Sequence, residues 1–211
     1  MSRKKQTQAD RSSASELRLL KAAAVVLVEE GYSALTFDRV GEVSGYSRGL
    51  ASQKFGSKDG MVLAVVTFLN NRLNTRYIAG TEAAADPLDE ILIYVRNFLD
   101  EIVIDPLSLS YFVLLATTVA NKSSIQPAFV EAHDKVKQSL ASMILRGQKK
   151  GIIRADIDAD TTALSIGAFQ LGVATQLRLD PSFDVKKISA LILPAIKSML
   201  AASPPSRQKN P

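Results

Sequence analysis

TFDRVGEVSGYSRGLASQKFGSK, residues 36 to 58, reads as two short helices folded across a tight turn and followed at once by the start of a longer helix. The first helix is expected over about 38 to 44, with Thr36 or Asp38 capping its free N–H groups and Val40 and Val43 facing inward. Gly41 is small where the two helices cross, Gly45 supplies the left-handed backbone that ends a helix, and Tyr46 puts an apolar ring at the corner. Ser47 is a suitable N-cap for a second helix to about Gln53, anchored by Leu50 with support from Ala51 and Phe55. Two helices joined by a short Gly-containing turn form the helix-turn-helix of DNA-binding proteins, whose second helix enters the major groove.

The expected DNA contacts are Thr36, Asp38, Arg39, Ser47, Arg48, Gly49, Ser52, Gln53, Lys54 and Lys58. Arg48, Ser52, Gln53 and Lys54 can donate to base edges or phosphates from the outer side of the second helix. Between Arg39 and Lys58 four cations face one carboxylate, Glu42, and such a cluster gains by releasing counterions from a duplex. The plainer alternative is a structural helical hairpin with ordinary solvated charges.

The stretch ELRLLKAAAVVLVEEGYSALTFDRVGEVSGYSRGLASQKFGSKDGMVLAVV, residues 16 to 66, resembles the N-terminal domain of the TetR (tetracycline repressor) family of bacterial transcription regulators through its GY, TF, SGYSRG and F-x-SK-x-G series. The resemblance implies an all-helical homodimer that binds a DNA operator and a small-molecule effector. It also implies a recognition helix ending in an aromatic residue that touches phosphate, with a histidine two residues on. Here those positions are Ser52 and Lys54, which can hold phosphate but cannot stack, so the family's sequence reading does not transfer. The family's lysine at the start of the fourth helix matches Lys58, and its base-reading position falls on Asp38, with Arg39 beside it.

The 211 residues, 46% hydrophobic and 22% charged, suit one or two soluble globular domains. Without cysteine, disulfides and thiolate zinc sites are excluded, and a reducing cytoplasmic setting is expected. No apolar run approaches the length of a membrane span, and no membrane partner is expected. The net charge is +5, and residues 1–60 hold ten Lys and Arg against seven Asp and Glu, so the excess gathers where DNA contact is expected.

The expected domains are a flexible basic arm at 1–12, a helix-turn-helix domain at 13–56, a helical effector-binding and dimerisation domain at 57–203, and a flexible tail at 204–211. Within the arm, Arg3, Lys4, Lys5 and Arg11 either follow a phosphate backbone or merely solubilise the chain. Ser13 and Glu16 form a capping-box pattern ahead of a helix with Leu17, Leu20, Ala24, Leu27 and Val28 on one face. Further helices are expected at about 57–78 with a Ser57 cap, 87–104 with Pro87 first, 107–120, 129–150, 161–179 and 185–201. The whole is all-α with about nine helices. DIDAD at 156–160 resembles a calcium loop only in its alternating acids: Thr161 and Gly167 occupy the positions of the required glycine and glutamate, so Asp158 or Asp160 is read as a helix cap.

The helix at 161–179 is apolar on several faces and holds Gly167 and Gly172, so it is expected to be buried nearly all round, partly by a second copy of the chain. The expected dimer contacts are Ala163, Ile166, Gly167, Gln170, Leu171, Ala174, Ile188, Leu191, Ile192 and Ala195. Phe68, Arg72, Phe98, Phe112, Leu115, Thr118, Val119, Phe129, His133, Lys137, Phe169 and Gln170 are candidates to line an effector chamber, against the plainer reading of ordinary core. One histidine, His133, and no Gly-rich phosphate loop or nucleophile motif leave little material for catalysis; no enzyme, cofactor or metal is expected. The expected function is a ligand-responsive repressor of transcription that binds a palindromic operator. The alternative is a helical ligand-binding or protein-partner module with impaired DNA reading.

Overall fold

The computed structural model describes residues 8–121 and 125–202. Most of the expected basic arm, including the side chains of Arg3, Lys4, Lys5 and Arg11, and the tail at 204–211 lie outside them, as does the Val28 side chain. The described residues form nine α-helices: α1 Gln8–Glu29, α2 Phe37–Ser44, α3 Arg48–Phe55, α4 Lys58–Tyr77, α5 Pro87–Ile104, α6 Pro106–Asn121, α7 Gln126–Lys149, α8 Ala159–Leu179 and α9 Val185–Leu200. Strand-like pairing among them is limited to an isolated antiparallel bridge between Ile153 and Ala201. The fold is all-α, as expected. No single helix among the described residues is long and apolar enough to cross a membrane.

By its internal contacts the chain forms two compact bodies, one up to Arg72 together with Asp105–Phe129, the other Leu73–Ile104 together with the chain from Val130 onward. The first body is built on α1. That helix begins ahead of Ser13, so Ser13 and Glu16 lie inside it and the expected capping box does not form. Leu19, Leu20, Ala22, Ala23, Ala24, Val26 and Leu27 are buried because α1 packs against both α2 and α6, whereas Leu17, expected inward, is exposed. Ser110 on α6 donates to the Ala24 carbonyl at 3.3 Å.

The turn after α2 follows its local sequence. Thr36 caps α2 by accepting from the Arg39 N–H at 3.2 Å, and Gly45 ends it at φ 74°. The Tyr46 N–H returns to the Gly41 carbonyl at 3.0 Å. Ser47 then caps α3 by accepting from the Leu50 N–H at 3.2 Å. A side chain at Gly41 would place its Cβ 2.9 Å from the Tyr46 carbonyl oxygen, so the missing methyl is what lets the corner close onto α2. Val40 is buried but Val43 is exposed, and in α3 the buried anchor is Ala51, with Leu50 only half-buried. Ser57 caps α4 through the Gly60 N–H at 2.9 Å, and Met61, Val62, Val65 and Leu69 are buried beneath it.

In the second body α5 packs against α8 and α9. Ile91, Val95, Phe98, Leu99 and Ile102 are buried, as their helical spacing requires. Gly147 gives up its side chain to Ile153: a Cβ there would lie 2.5 Å from the Ile153 Cδ1. This seats the loop whose Arg154 N–H donates to the Leu200 carbonyl at 2.9 Å, while the Ala202 N–H donates to Ile152. Asp158 caps α8 by accepting from the Thr161 N–H at 2.8 Å; the Thr161 side chain first, and then this N–H, hold its carboxyl below the usual range, and Asp156 pairs with Arg154. Two of the three acids of DIDAD are thus spent, Asp158 on a cap and Asp156 on an ion pair. Pro194 sits inside α9 on an exposed face and withdraws the N–H that would serve the carbonyl of Ala190.

Gly41→Ala is expected to lower stability by about 1–3 kcal/mol, the usual cost of forcing a methyl into a closed contact. Denaturant unfolding checks this, with a native midpoint counting against the close-approach role.

Candidate functional site

The α2–turn–α3 surface carries most of the expected contact residues. Thr36, Asp38, Ser47, Arg48, Gly49 and Gln53 are exposed, and Ser52 is half-buried. The cations of this surface, however, are engaged with other groups of the chain. Arg39 spreads its guanidinium between two helices: Nε donates to both Glu30 carboxylate oxygens at 3.0 and 2.9 Å, Nη2 to Glu30 at 2.8 Å, and Nη1 to Glu42 at 2.9 Å. It ties the end of α1 to α2 and is poorly placed for a base. The hydrogen bond from Arg39 holds the Glu30 carboxyl below its ordinary value, and the same bond raises Arg39.

Lys54, expected to point outward, reaches back to α1, where its Nζ donates to the Ser12 hydroxyl at 2.7 Å and to Glu16 at 3.2 Å. Lys58 donates to the Tyr32 carbonyl at 3.2 Å and sits 4.5 Å from the centre of the Tyr32 ring, a cation–π arrangement. Arg48, at the first turn of α3, is the most exposed of these cations and lies 3.4 Å from Asp38. The excess of positive charge counted along the sequence is therefore largely balanced in space by Glu16, Glu30, Asp38 and Glu42.

One residue with a role here escaped the sequence reading. Arg18 on α1 donates to the Ser44 carbonyl at 3.0 Å and lies 5.1 Å from the centre of the Tyr46 ring, so it holds both the end of α2 and the corner. A cation at a helix C-terminus also complements the backbone dipole. No signal within the 36–58 stretch announces a partner 26 residues upstream.

The expected effector residues divide between the two bodies. In the first, Phe129, Leu115 and Thr118 are buried, Phe68 and Phe112 are half-buried, and Tyr111 bridges Phe112 and Phe129 with ring centres 5.4 and 5.2 Å away. Two of the set do not fit an enclosed lining: Val119 is 63% exposed, and Arg72 is engaged with Asp105 ahead of α6. In the second body Phe98 and Gln170 are buried and Phe169 is half-buried, but His133 is exposed and Lys137 pairs with Asp134 at 3.3 Å on the same helix.

The expected dimer residues also separate. Ala163, Ile166, Gln170 and Ala174 are buried inside their own chain, since their spacing puts them on the face of α8 turned toward its core. They are not available to a partner. Gly167, Leu171, Ile188 and Ile192 are half-buried, and Leu191 and Ala195 are exposed. The outer face of α8 shows Leu164, 61% exposed, with Ala168, Gly172 and Leu179, so the helix expected to be buried nearly all round has an open apolar side. Among the described residues no three His, Asp or Glu side chains gather as a metal site.

Residues 19–65 match the sequence model of the TetR family of bacterial regulatory proteins. The chain is 31% identical over 78 residues to the HTH-type transcriptional regulator BetI of Rhizobium meliloti, a match covering 37% of this chain and 38% of BetI. It is 33% identical over 101 residues to the HTH-type transcriptional regulator CymR of Pseudomonas putida, covering 48% of each. The aligned parts thus span less than half the length of these curated relatives. A TetR transcriptional regulator from Chloroflexus aurantiacus has the same fold at a TM-score of 0.79 and 18% identity, over 92% of this chain and 99% of that one. These relatives are transcription regulators rather than enzymes, and they bear out the family resemblance and the all-helical architecture read from the sequence.

Glu30→Gln is expected to lower thermal stability at neutral pH. Because the folded-state carboxyl is held low, its contribution is present above the ordinary glutamate value of about 4.3 and lost as pH falls through the depressed one. Melting curves of the two proteins should therefore converge on acidification; a gap that persists in acid would assign the loss to something other than the ion pair.

Proposed function

We propose that this chain, whose residues 19–65 match the TetR family of bacterial regulatory proteins, is a ligand-responsive transcription regulator, a repressor that binds a palindromic operator as a homodimer and is released by a small molecule. The observation that carries this reading is the presentation of α3: its one fully buried side chain is Ala51, while Arg48, Gly49 and Gln53 stand exposed beside the Asp38 end of α2. Residues 13–56 read DNA, with the arm at 1–12 as an auxiliary cation source, and residues 57–203 dimerise and sense the effector. The DNA set is led by Arg48, Gly49, Gln53, Ser47 and Thr36. Arg39 and Lys58 act by holding α2 and α4 in place.

Binding proceeds by exchange. A phosphate that takes Lys54 must displace Glu16, and a base edge or phosphate that takes Arg48 must compete with Asp38. Exposed pairs of this kind are worth little in water, so the exchange is inexpensive, but it reduces the net gain per contact. Two reader helices must meet successive major grooves about 34–36 Å apart. An effector that favours a conformer of different spacing shifts the population by its difference in affinity for the two states and by nothing else.

Dimerisation is supported by the open apolar side of α8 and α9, where Leu164, Ala168, Gly172, Leu179, Leu191 and Ala195 face outward. Among the described residues a Cβ at Gly172 would meet nothing within 4 Å beyond its own stretch of helix, so no contact there accounts for a glycine that costs the helix about 1 kcal/mol relative to alanine. A closely approaching partner helix accounts for it.

Selection from a random duplex pool is expected to enrich an inverted repeat, and Arg48→Ala to weaken binding to it and lower the slope of log affinity against log salt by about one. Glu16→Gln is expected to tighten duplex binding by freeing Lys54. A flat salt response with no enriched repeat would favour the alternative, a helical ligand or partner module, which the replacement of the family's aromatic by Ser52 motivates.

Leu164→Glu combined with Leu191→Glu is expected to give a folded monomer by light scattering, with the helical circular dichroism intact. A double variant that stays dimeric would remove this face from the interface.

A further inference from the structure

We propose that Gln53 is the residue through which the α2–turn–α3 surface tells one base from another, and that the base it selects is one adenine in each half-site. Its carboxamide NH2 donates to the adenine N7, and its carbonyl oxygen accepts from the N6 amino group in the major groove. The inference rests on the operator-binding reading above and names the base which that reading leaves open. The neighbours of Gln53 on the outer side of α3 are committed within the chain. Ser47 accepts from the Leu50 N–H at 3.2 Å, Arg48 lies 3.4 Å from Asp38, and Lys54 donates to Ser12 and Glu16. Ser52 is half-buried and offers a single hydroxyl that donates or accepts, so it suits any base. Gln53 is exposed, and its carboxamide has no partner among the described residues.

The choice of adenine follows from the carboxamide, which presents a donor and an acceptor side by side. Adenine shows the complementary acceptor and donor in the major groove, whereas guanine shows two acceptors and would set its O6 against the Gln53 oxygen. Cytosine and thymine each offer one polar group there and satisfy half of the carboxamide. Gly49 supplies the approach. It is exposed and lies four residues before Gln53, hence on the same face of α3 one turn earlier. Beyond its own stretch of helix a Cβ there would meet only the Ser47 Oγ, at the ordinary distance of 3.8 Å, so no contact among the described residues calls for a glycine. A backbone that must come close to a groove wall does. Because a helical side chain leans back over the preceding turn, the Gln53 carboxamide is carried over that bare surface. Arg48 and Lys54, once released from Asp38 and Glu16, hold phosphates by charge, which anchors the helix without distinguishing one sequence from another.

The test selects duplexes from a random pool with the full chain and with its Gln53→Ala variant. The native protein is expected to enrich an inverted repeat with an adenine at one position of each half-site, and the variant to enrich the same repeat with that position degenerate. On the selected duplex, exchanging this A·T pair in one half-site for any other is expected to weaken the native protein about 5- to 150-fold, the range of one bidentate base contact, and to leave the variant unchanged. 7-Deazaadenine, which keeps N6 and loses N7, is expected to cost the native protein about three- to tenfold and the variant nothing. The thermal midpoint and the salt slope of Gln53→Ala are expected to stay native, because the side chain is exposed and uncharged. Gly49→Ala is expected to weaken the selected duplex while keeping or raising the thermal midpoint, alanine being the better helix former. An adenine preference that survives in Gln53→Ala, a relaxed position that held another base, a uniform loss across all sequences, or native affinity in Gly49→Ala overturns the proposal. A repeat enriched without any response to Gln53 leaves the operator-binding reading standing and removes the base assignment, whereas no enriched repeat removes both.

Discussion

The absence of a side chain at Gly41 fixes how closely the corner at Tyr46 and Ser47 can approach α2, and the presentation of α3 follows from that approach. A Cβ at 2.9 Å from a backbone oxygen cannot be relieved by rotating a side chain, because the opposing atom belongs to the main chain that sets the turn. With the corner closed, Ala51 meets the interior and Arg48, Gly49 and Gln53 are carried outward. Arg18 reinforces the same corner from α1 through the Ser44 carbonyl and the Tyr46 ring. A small residue, a left-handed glycine and a distant arginine thus act on one backbone geometry.

The charges of the α2–turn–α3 surface are arranged as exchangeable pairs rather than as a bare positive patch. Glu30 and Glu42 share Arg39, Asp38 neighbours Arg48, and Glu16 takes Lys54. These pairs differ in what they bridge. The Glu30 contact joins the residue just past α1 to α2 with three hydrogen bonds and acts as a fastening, whereas Asp38 and Arg48 are both well exposed at 3.4 Å and can part readily. A folded surface that keeps its cations paired in solution limits their attraction to any polyanion it meets.

In the second body one helix has two apolar faces with different tasks. Ala163, Ile166, Gln170 and Ala174 of α8 are turned into the chain, and among them a glutamine carries the one polar side chain of that set. Leu164, Ala168, Gly172 and Leu179 are turned out. A helix with this distribution couples an inner layer of aromatic and amide groups to an outer apolar surface through a single rigid element.

The sequence by itself determined the local devices: the Thr36, Ser47, Ser57 and Asp158 caps, the left-handed Gly45, the all-helical periodicity, and the N-terminal resemblance carried by the GY, TF and SGYSRG series. Each depends on groups within about four positions of one another, where backbone geometry leaves few alternatives. It misjudged Val43, Leu50 and the α8 face, because the choice among apolar positions on a helix is made by whatever packs against it. Glu16 with Lys54, Glu30 with Arg39 and Arg18 with Ser44 were beyond it for the same reason: charge interaction depends on separation in space, and only the tertiary structure brings groups 38, 9 and 26 residues apart to within about one hydrogen bond of each other.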